Sequence, residues 1–565
     1  MTARLPDHLD LIATAPDGIR KLRGLILELA VRGKLVPQDA ADEPAGELLK
    51  RIADQKVSLA SEGVIKKEMP APEVSESERP FEIPVGWKWS RLSTVLTKLT
   101  DGTHHSPLNL PTGEYKYISA KNIKPWGLDL AGMTFVTEEA HNEIFARCNP
   151  EVGDVLYIKD GATTGVVTIN TLDEPFSMLS SVALLKPSLG LLNRYLLHFL
   201  SSPTFYSEVR AGMTGVAITR VTLTKLGSAP IALPPLAEQH RIVAKVDELM
   251  ALCDRMEAEQ ADAETAHARL VETLLGTLTQ SADADELAAN WQRLAEHFES
   301  LFATEASIEA LRQSAFQLAV TGRLVPQDSN DEPASDLLEC ISNRGVIRTQ
   351  RESTPGDFDL GKLPRGWTYA AIDAFCEVQG GIQKTPLRRP VSHHFPYLRV
   401  ANVQRNSITV DSLERFELTS SELERWQLRK DDLLIVEGNG SETEIGRCAV
   451  WNGQVPQCVY QNHLIRIRPA NLGVVPYLQL FLNSPVGKNI MKSLAITTSG
   501  LYNLSVGKIR SIGVFLPPLA EQHRIVAKVD ELLALCDRLK ADLVDARTRQ
   551  ARLADTLIDA ALAAA

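Results

Sequence analysis

No stretch of this chain approaches the roughly 20 consecutive apolar residues that crossing a bilayer requires, so a membrane-spanning helix is not expected. The opening residues, MTARLPDHLDLIATAPDG, lack the continuous apolar segment of a secretory leader, and the expected location is the cytoplasm. Cysteine is scarce. Seven residues, an odd number without a CxxC pair, argue against both a disulfide framework and a zinc knuckle. Cys253 and Cys536 fall at matching places in a repeated helix, where a small apolar thiol packs as core. Motifs of catalysis are missing as well. A GxxxxGK[ST] phosphate loop is absent, and EGNGSETEIG lacks its lysine. An adenine methyltransferase needs a Gly-rich cofactor loop and an Asn/Asp-Pro-Pro-aromatic tetrapeptide for the flipped base. CNPEVGD offers one proline, and both PP pairs open helices. Asp431, Asp432 and Glu437 match the clustered carboxylates of a nuclease only weakly and read as solvated turn residues.

The chain carries 60 Lys and Arg against 71 Asp and Glu, a formal net charge of −11, which on its own argues against a polyanionic partner. The average conceals a division. Residues 83–235 hold 13 basic and 12 acidic side chains, and residues 363–518 hold 17 and 12. Acidity is concentrated elsewhere, so two neutral-to-basic modules are free to approach an anion while the connecting parts face other proteins. With 565 residues, about three or four folding units are expected.

What the chain does have is a duplication. LPPLAEQHRIVAKVDEL begins at Leu233 and again at Leu516, and over 24 aligned positions the copies differ only at Met250/Leu533 and Met256/Leu539. Upstream, IRKLRGLILELAVRGKLVPQDAADEPAGELL from Ile19 answers IEALRQSAFQLAVTGRLVPQDSNDEPASDLL from Ile308. A polar, proline-containing linker and a matching opening, IPVGWKW or LPRGWTY, follow each. The order of short helix, linker, domain and long helix is therefore run through twice. Ile242, Val246, Leu249, Cys253 and Met256 are spaced 4, 3, 4, 3, as are Ile525, Val529, Leu532, Cys536 and Leu539. That is a coiled-coil seam, and Leu543, Leu553 and Leu557 are expected to extend it. The paired prolines at 234–235 and 517–518 mark where strand gives way to helix. A helix of about 40 residues is about 60 Å long, a spacer as much as a core.

Between the helices the pattern is mixed. YKYISAKNI and FPYLRVANV read as equivalent strands, and GDVLYIKDGATTGVVTI and DDLLIVEGNGSETEIGRCAVW as strand, Gly-rich turn, strand. RYLLHFLSSP and YLQLFLNSP read as apolar-faced helices. Elsewhere the two copies diverge: one scaffold carries two surfaces.

These features resemble the specificity subunits of type I restriction-modification systems. The resemblance rests on the doubled phrase, the LAVRGKLVPQ and LAVTGRLVPQ helix ends, the two GW openings, and DGTHHSP, QNHLIRIRP and TSGLYNLSVGKI inside the domains, and it covers nearly the whole chain. It implies a mixed α/β (α+β) fold in a pseudo-two-fold tandem repeat, with two target-recognition domains separated by long antiparallel coiled-coil helices. The expected division is 1–82, N-terminal helix and linker; 83–235, first domain; 236–362, central helices and linker; 363–518, second domain; and 519–565, C-terminal helix. In such a subunit each domain reads one half of a split DNA sequence. The helices space the domains and bind two adenine-methylating modification subunits, which hold S-adenosylmethionine, and motor-nuclease restriction subunits join the complex as a phage defence. No cofactor or metal is expected in this chain. The N-terminal helix (19–31) is expected beside the C-terminal one (519–557), and 308–320 beside 236–278, so that the doubled phrase binds the same kind of partner twice. The acidic segment 281–307, with Trp291, Leu294, Phe298 and Leu301 at helical spacing, is expected to form an additional helix or to lengthen the central pair.

Phosphate contacts need Lys, Arg, small hydroxyls or backbone amides, and base reading needs forked donors and acceptors. In the first domain the candidates are Thr103, His104 and His105, Lys121 and Asn122, Lys159, Thr163 and Thr164, and Thr219 and Arg220. His104 and His105 also admit a metal reading, although no Cys or carboxylate stands at ligand spacing. In the second they are Lys384, Thr385, Arg388 and Arg389, then Arg399, Asn402, Gln404 and Arg405, then Asn439 and Ser441, and finally Ser499, Tyr502 and Asn503. Gln461, Asn462 and His463 read equally as scaffold. A coiled-coil adaptor that reads no DNA is the alternative, separable by the salt dependence that phosphate binding confers.

Overall fold

The computed structural model describes residues 9–66, 69–211, 213, 220–281, 284–343, 363–439, 444, 446–498 and 501–564. The chain divides into two units, residues 1–263 with 546–565, and residues 264–545. Each unit holds one variable domain, one short helix, the beginning of the long helix that follows its own domain, and the end of the other long helix.

The long helices run over Leu236–Gln280 and Leu519–Ala564, and the short ones over Gly18–Val31 and Glu305–Val320. In the first unit Leu22, Leu25, Ile26 and Leu29 share a core with Ile242, Val246 and Cys253 and with Ala554. Salt bridges line its edge: Lys21 to Asp555 at 2.5 Å, and Arg23 to Asp254 at 2.7 Å and Glu257 at 2.9 Å. In the second unit Ile308, Leu311 and Leu318 share a core with Val271, Leu275 and Leu278 and with Cys536. Arg312 pairs there with Asp537, and Lys540 with Glu309. Each short helix thus meets its expected partner and the other long helix as well. Cys253 and Cys536 are free thiols in these cores. Leu553 departs from expectation. It is 46% exposed, and the adjacent Ala554 takes the inward place, because one residue turns a helix about 100°.

Segment 281–307 does form additional helices, Ala284–Glu296 and Phe298–Leu301, which bury Leu294 and Leu301 in the second unit's core and leave Trp291 38% exposed. Two helices that had not been separated from the linkers, Ala45–Ser61 and Ala334–Asn343, follow the short ones.

Both variable domains repeat one topology. The first strand, Lys88–Arg91, pairs antiparallel with the last, Pro230–Leu233, and Thr368–Ala371 pairs likewise with Gly513–Leu516. Each domain therefore begins and ends side by side. Inside lies an antiparallel four-stranded sheet, in the order Leu96–Asp101, Val182–Pro187, Val155–Ile158, Val167–Ile169. Its counterpart runs Cys376–Gly380, Leu464–Pro469, Leu433–Val436, Cys448–Val450. The runs VLYI and LLIV are buried at every position, as central strands covered on both faces must be. A second sheet of three strands contains Tyr115–Ile118 in one domain and His394–Leu398 in the other, each paired parallel with one neighbour and antiparallel with the other.

The doubled phrase is used first of all inside each unit. The Trp87 indole N–H donates to Glu238 at 2.8 Å, and Trp367 to Glu521 at 3.0 Å. Arg241 grips Asp42 with both terminal nitrogens, at 3.2 and 2.6 Å, and Arg524 holds Asp331 at the same distances. Gln239 and Gln522 donate back to the carbonyls of Pro234 and Pro517. Gly33 and Gly322 end the short helices at φ +68° and +72°. A Cβ there would lie 2.5 Å from Pro84 and 2.6 Å from Pro364, so glycine is required twice over. Helix end, domain opening and long-helix start are thus locked by one clasp in each unit, and Glu, Gln and Arg of AEQHR serve it.

The two clasps differ at the glutamine and at the glutamate: Leu192 N–H donates to Gln239 Oε1 at 2.9 Å, whereas Gln522 Oε1 has no hydrogen-bond partner among the described residues. Gln38 donates to the second oxygen of Glu238 at 2.6 Å, whereas its counterpart Gln327 is exposed and Glu521 Oε1 has no hydrogen-bond partner. Burial pushes the Glu521 carboxyl up to about 7. The stabilisation carried by that proton is fully present below about pH 4.5 and is lost as pH rises through about 7, a span worth on the order of 3 kcal/mol. Glu521→Gln is neutral at every pH, so its stability relative to the parent is expected to improve between about pH 5 and pH 8 in denaturant titrations. A difference independent of pH would refute the assignment.

Candidate nucleic-acid interface

At one edge of each domain the loops between strands are knitted together by backbone bonds. In the first, Thr103 N–H donates to Met178 O at 2.9 Å, Ser180 N–H to Thr103 O at 2.9 Å, Lys159 N–H to Ser181 O at 3.0 Å and Val221 N–H to Lys159 O at 2.8 Å. In the second, Ile382 N–H donates to Tyr460 O at 2.9 Å, Asn462 N–H to Ile382 O at 2.8 Å, Glu437 N–H to His463 O at 3.0 Å and Leu504 N–H to Glu437 O at 2.7 Å. Glycine permits the close approach: a Cβ on Gly102 would lie 1.8 Å from Met178 O, and one on Gly381 2.1 Å from Gln461 O. The backbone of QNH is therefore the spine of this edge.

The same frame carries different chemistry. In the first domain Asp101, 2% exposed, gathers Arg147, Lys159 at 3.4 Å and His104 at 3.3 Å, and Lys159 also pairs with Asp160 at 3.1 Å. In the second, Gly380 and Gly438 stand where Asp101 and Asp160 do, and Glu437 replaces Lys159. Burial raises the Glu437 carboxyl above its ordinary range, and His463 faces it at 3.6 Å. A buried cation between two anions has become a half-buried anion beside one imidazole.

The expected contact residues divide accordingly. His105, Lys121, Thr163 and Arg220 are exposed on the first edge, with Thr103 half-buried behind them. Lys159 is 5% exposed and Thr164 is buried with its hydroxyl on Gly161 O at 2.8 Å, so neither side chain is offered to a duplex. Asn122 and Asn402 are corrected outright. Both are buried, each accepts from the backbone three residues earlier and each donates seven residues ahead, to Asp129 O and Thr409 O, closing the hairpins that follow. In the second domain Arg389 and Gln404 are exposed and Thr385 half-buried, while the basic loop is largely neutralised. Lys384 and Arg399 both pair with Glu414 at 2.8 Å, and Arg388 pairs with Glu422 at 3.0 Å. Lys384 first, then Tyr397, hold the Glu414 carboxyl down to about 2. Arg405 turns inward to Asn483 at 3.0 Å, and its place in the fold is that of a brace. Asn503 is exposed; Thr219, Ser441 and Ser499, and the side chains of Asn439 and Tyr502, lie outside the described residues. Among the described residues no cluster of His, Cys, Asp and Glu suits a metal ion, and no helix is long and apolar enough to cross a membrane.

Sequence reasoning passed over Asp101, Glu414 and Arg210. Arg210 donates to the carbonyls of Ala162 and Thr164 at 3.3 Å and so holds the Gly-rich turn. The signal available for Asp101 was its place at a strand end beside DGTHH; Arg210 and Glu414 gave none.

The family profile described as Type I restriction modification DNA specificity domain matches residues 84–264 and 364–545. The chain belongs to the type I restriction specificity subunits. It is 35% identical to the EcoEI specificity subunit of Escherichia coli, over 96% of this chain and 94% of that one, and 35% identical to the EcoAI specificity subunit of the same species over the same shares. The HsdS subunit from Thermoanaerobacter tengcongensis is 18% identical, with a TM-score of 0.39 over 86% of this chain and 99% of that one. Both matched segments of this specificity subunit begin at the GW opening and run into a long helix, so the Trp87–Glu238 and Trp367–Glu521 bonds lie inside the matches.

Proposed function

We propose that the two loop edges read the two different halves of one split DNA sequence. The observation that carries this reading is the pair of matching backbone hydrogen-bond frames bearing opposite charges at Lys159 and Glu437, on domains held by the same Trp–Glu and Arg–Asp bonds. Different chemistry on one frame selects different base edges, while the scaffold fixes how each is presented.

The long helices supply the second part of the reading. Once the clasp and seam residues are set aside, the doubled phrase leaves Ala237, His240, Ala244, Glu248 and Ala251 exposed, and Ala520, His523, Ala527, Glu531 and Ala534 exposed in the same way. Their spacing of 3, 4, 4, 3 puts them on one helix face, where alanines let another helix approach closely. Two identical faces beside two unlike domains suit two copies of one partner, the adenine-modifying subunit, which holds S-adenosylmethionine and through which restriction subunits join. This chain contributes recognition and no catalysis, in the cytoplasm.

Methylome sequencing of a strain carrying the system is expected to show one bipartite adenine-methylated motif, and the assembled complex is expected to bind duplex DNA with affinity falling steeply as salt is added. Binding indifferent to both salt and sequence would refute the proposal.

A further inference from the structure

Both loop edges carry a tight hairpin, and the two hairpins are finished differently. In the first domain Ile123–Lys124 pairs with Gly127–Leu128, which leaves Pro125 and Trp126 at the tip. The hairpin rises from the loop edge itself, for Ala120 N–H donates to the hydroxyl of Ser181, whose carbonyl receives Lys159 N–H. Asn122 closes its base with a side-chain bond to Asp129 O at 3.0 Å. Trp126 is 81% exposed on this rigid support. Lys121 is exposed and Lys124 half-buried, and neither has an ion-pair partner among the described residues. The one acidic side chain of residues 119–129, Asp129, accepts from Ala131 N–H at 3.0 Å at the base of the hairpin.

In the second domain the matching tip, Arg405 and Asn406, is lashed to its own fold. Arg405 donates to Asn483 at 3.0 Å, while Gln479 at 3.0 Å and Asn483 at 2.6 Å donate to the Asn406 side chain. The helix that supplies those amides, Val475–Asn483, corresponds to Asn193–Ser201, where Leu197 and Ser201 stand in place of Gln479 and Asn483. Leu197 and Ser201 offer no amide to tie down the first domain's tip, which carries a large apolar indole in water.

We propose that hairpin 119–129 is a DNA-contacting arm whose two lysines pair with phosphates while the Trp126 indole lies against sugars and base edges in a groove. This rests on the first domain reading DNA. Exposed indole flanked by unpaired cations matches a duplex, whose backbone is anionic and whose groove walls and base edges are partly apolar. Neither group forms the forked hydrogen bonds that distinguish one base pair from another, so the arm adds affinity without adding preference.

The test uses the complete complex with its modification subunits. Trp126→Ala is expected to weaken binding to matched and unmatched duplexes alike by about 10-fold, in line with loss of an aromatic contact to bases. Lys121→Ala with Lys124→Ala is expected to make the slope of log affinity against log salt shallower by about 2. Assembly with modification subunits, the thermal midpoint and the methylated motif stay unchanged. Parental affinity in Trp126→Ala would overturn the proposal, and so would failure of that variant to assemble, which would make the indole a protein contact. A loss confined to one base pair of the motif would overturn the claim of indifference to sequence. If the parental complex itself shows no salt-dependent binding, the failure belongs to the reading of DNA and not to the arm.

Discussion

Trp87→Ala is expected to destabilise the first unit by about 3–5 kcal/mol, the range for deleting a buried indole. The side chain is 3% exposed, meets Tyr195 edge-on at 6.4 Å between ring centres, and packs so closely on Gly33 that a Cβ there would lie 3.0 Å from the ring. Its N–H is one of two donors to the Glu238 carboxylate, and the variant leaves a buried oxygen short of a partner, adding an unsatisfied polar group to the cavity. Trp87→Phe restores much of the volume and none of the bond, so it should fall between the two. Urea titration of the subunit with its partners, followed by far-ultraviolet circular dichroism, reads the change. The same substitution at Trp367, which keeps the T-shaped contact with Tyr477 at 6.4 Å, should cost as much in the second unit. Parental midpoints for both alanine variants would show that the clasp is incidental.

The expected loss also explains why the duplicated phrase resists divergence across this chain. Glu238 and Trp87 are 151 residues apart, and Arg241 and Asp42 are 199 apart, so no local pattern announces either pair. Periodicity had made the helices, the central strands and the tandem order legible, because burial alternates along one chain segment. Roles settled by partners distant in sequence were not legible. Asn122 and Asn402 have the chemistry of base readers and serve as hairpin closures, since a buried amide finds its donors and acceptors within seven residues. Arg399 and Lys384 looked like a basic surface until Glu414 joined them through the strand pairing that sets it opposite Tyr397. Trp126 went unmarked for the opposite reason: a tryptophan beside a strand reads as core, and only the two-residue turn shows it pointing away from one. The candidate interface was legible as a set of loops and not as a set of side chains.

Exchange of residues 83–235 for the matching domain of another specificity subunit is expected to replace one half of the methylated motif and leave the other half intact. The fold is arranged for such an exchange. The domain's first and last strands are paired, Lys88 against Leu233 and Arg91 against Pro230, so its ends stay together whatever lies between them. At the clasp, the partners outside the exchanged segment are Glu238, which accepts from Trp87, and Gln239, which holds the backbone of residues 190, 192 and 234; beyond the clasp, Thr204 donates to Glu28, Arg91 to Glu78 and Arg194 to Asp247. A donor domain that brings its own GW opening and its own LPP ending therefore meets the same clasp. The loop edge, with Asp101, Lys159 and hairpin 119–129, travels as one piece because its bonds close within the exchanged residues. Methylome sequencing of the chimera reads the outcome. A change in both halves would mean that the two edges recognise DNA jointly, and a change in neither would place recognition outside the variable domains.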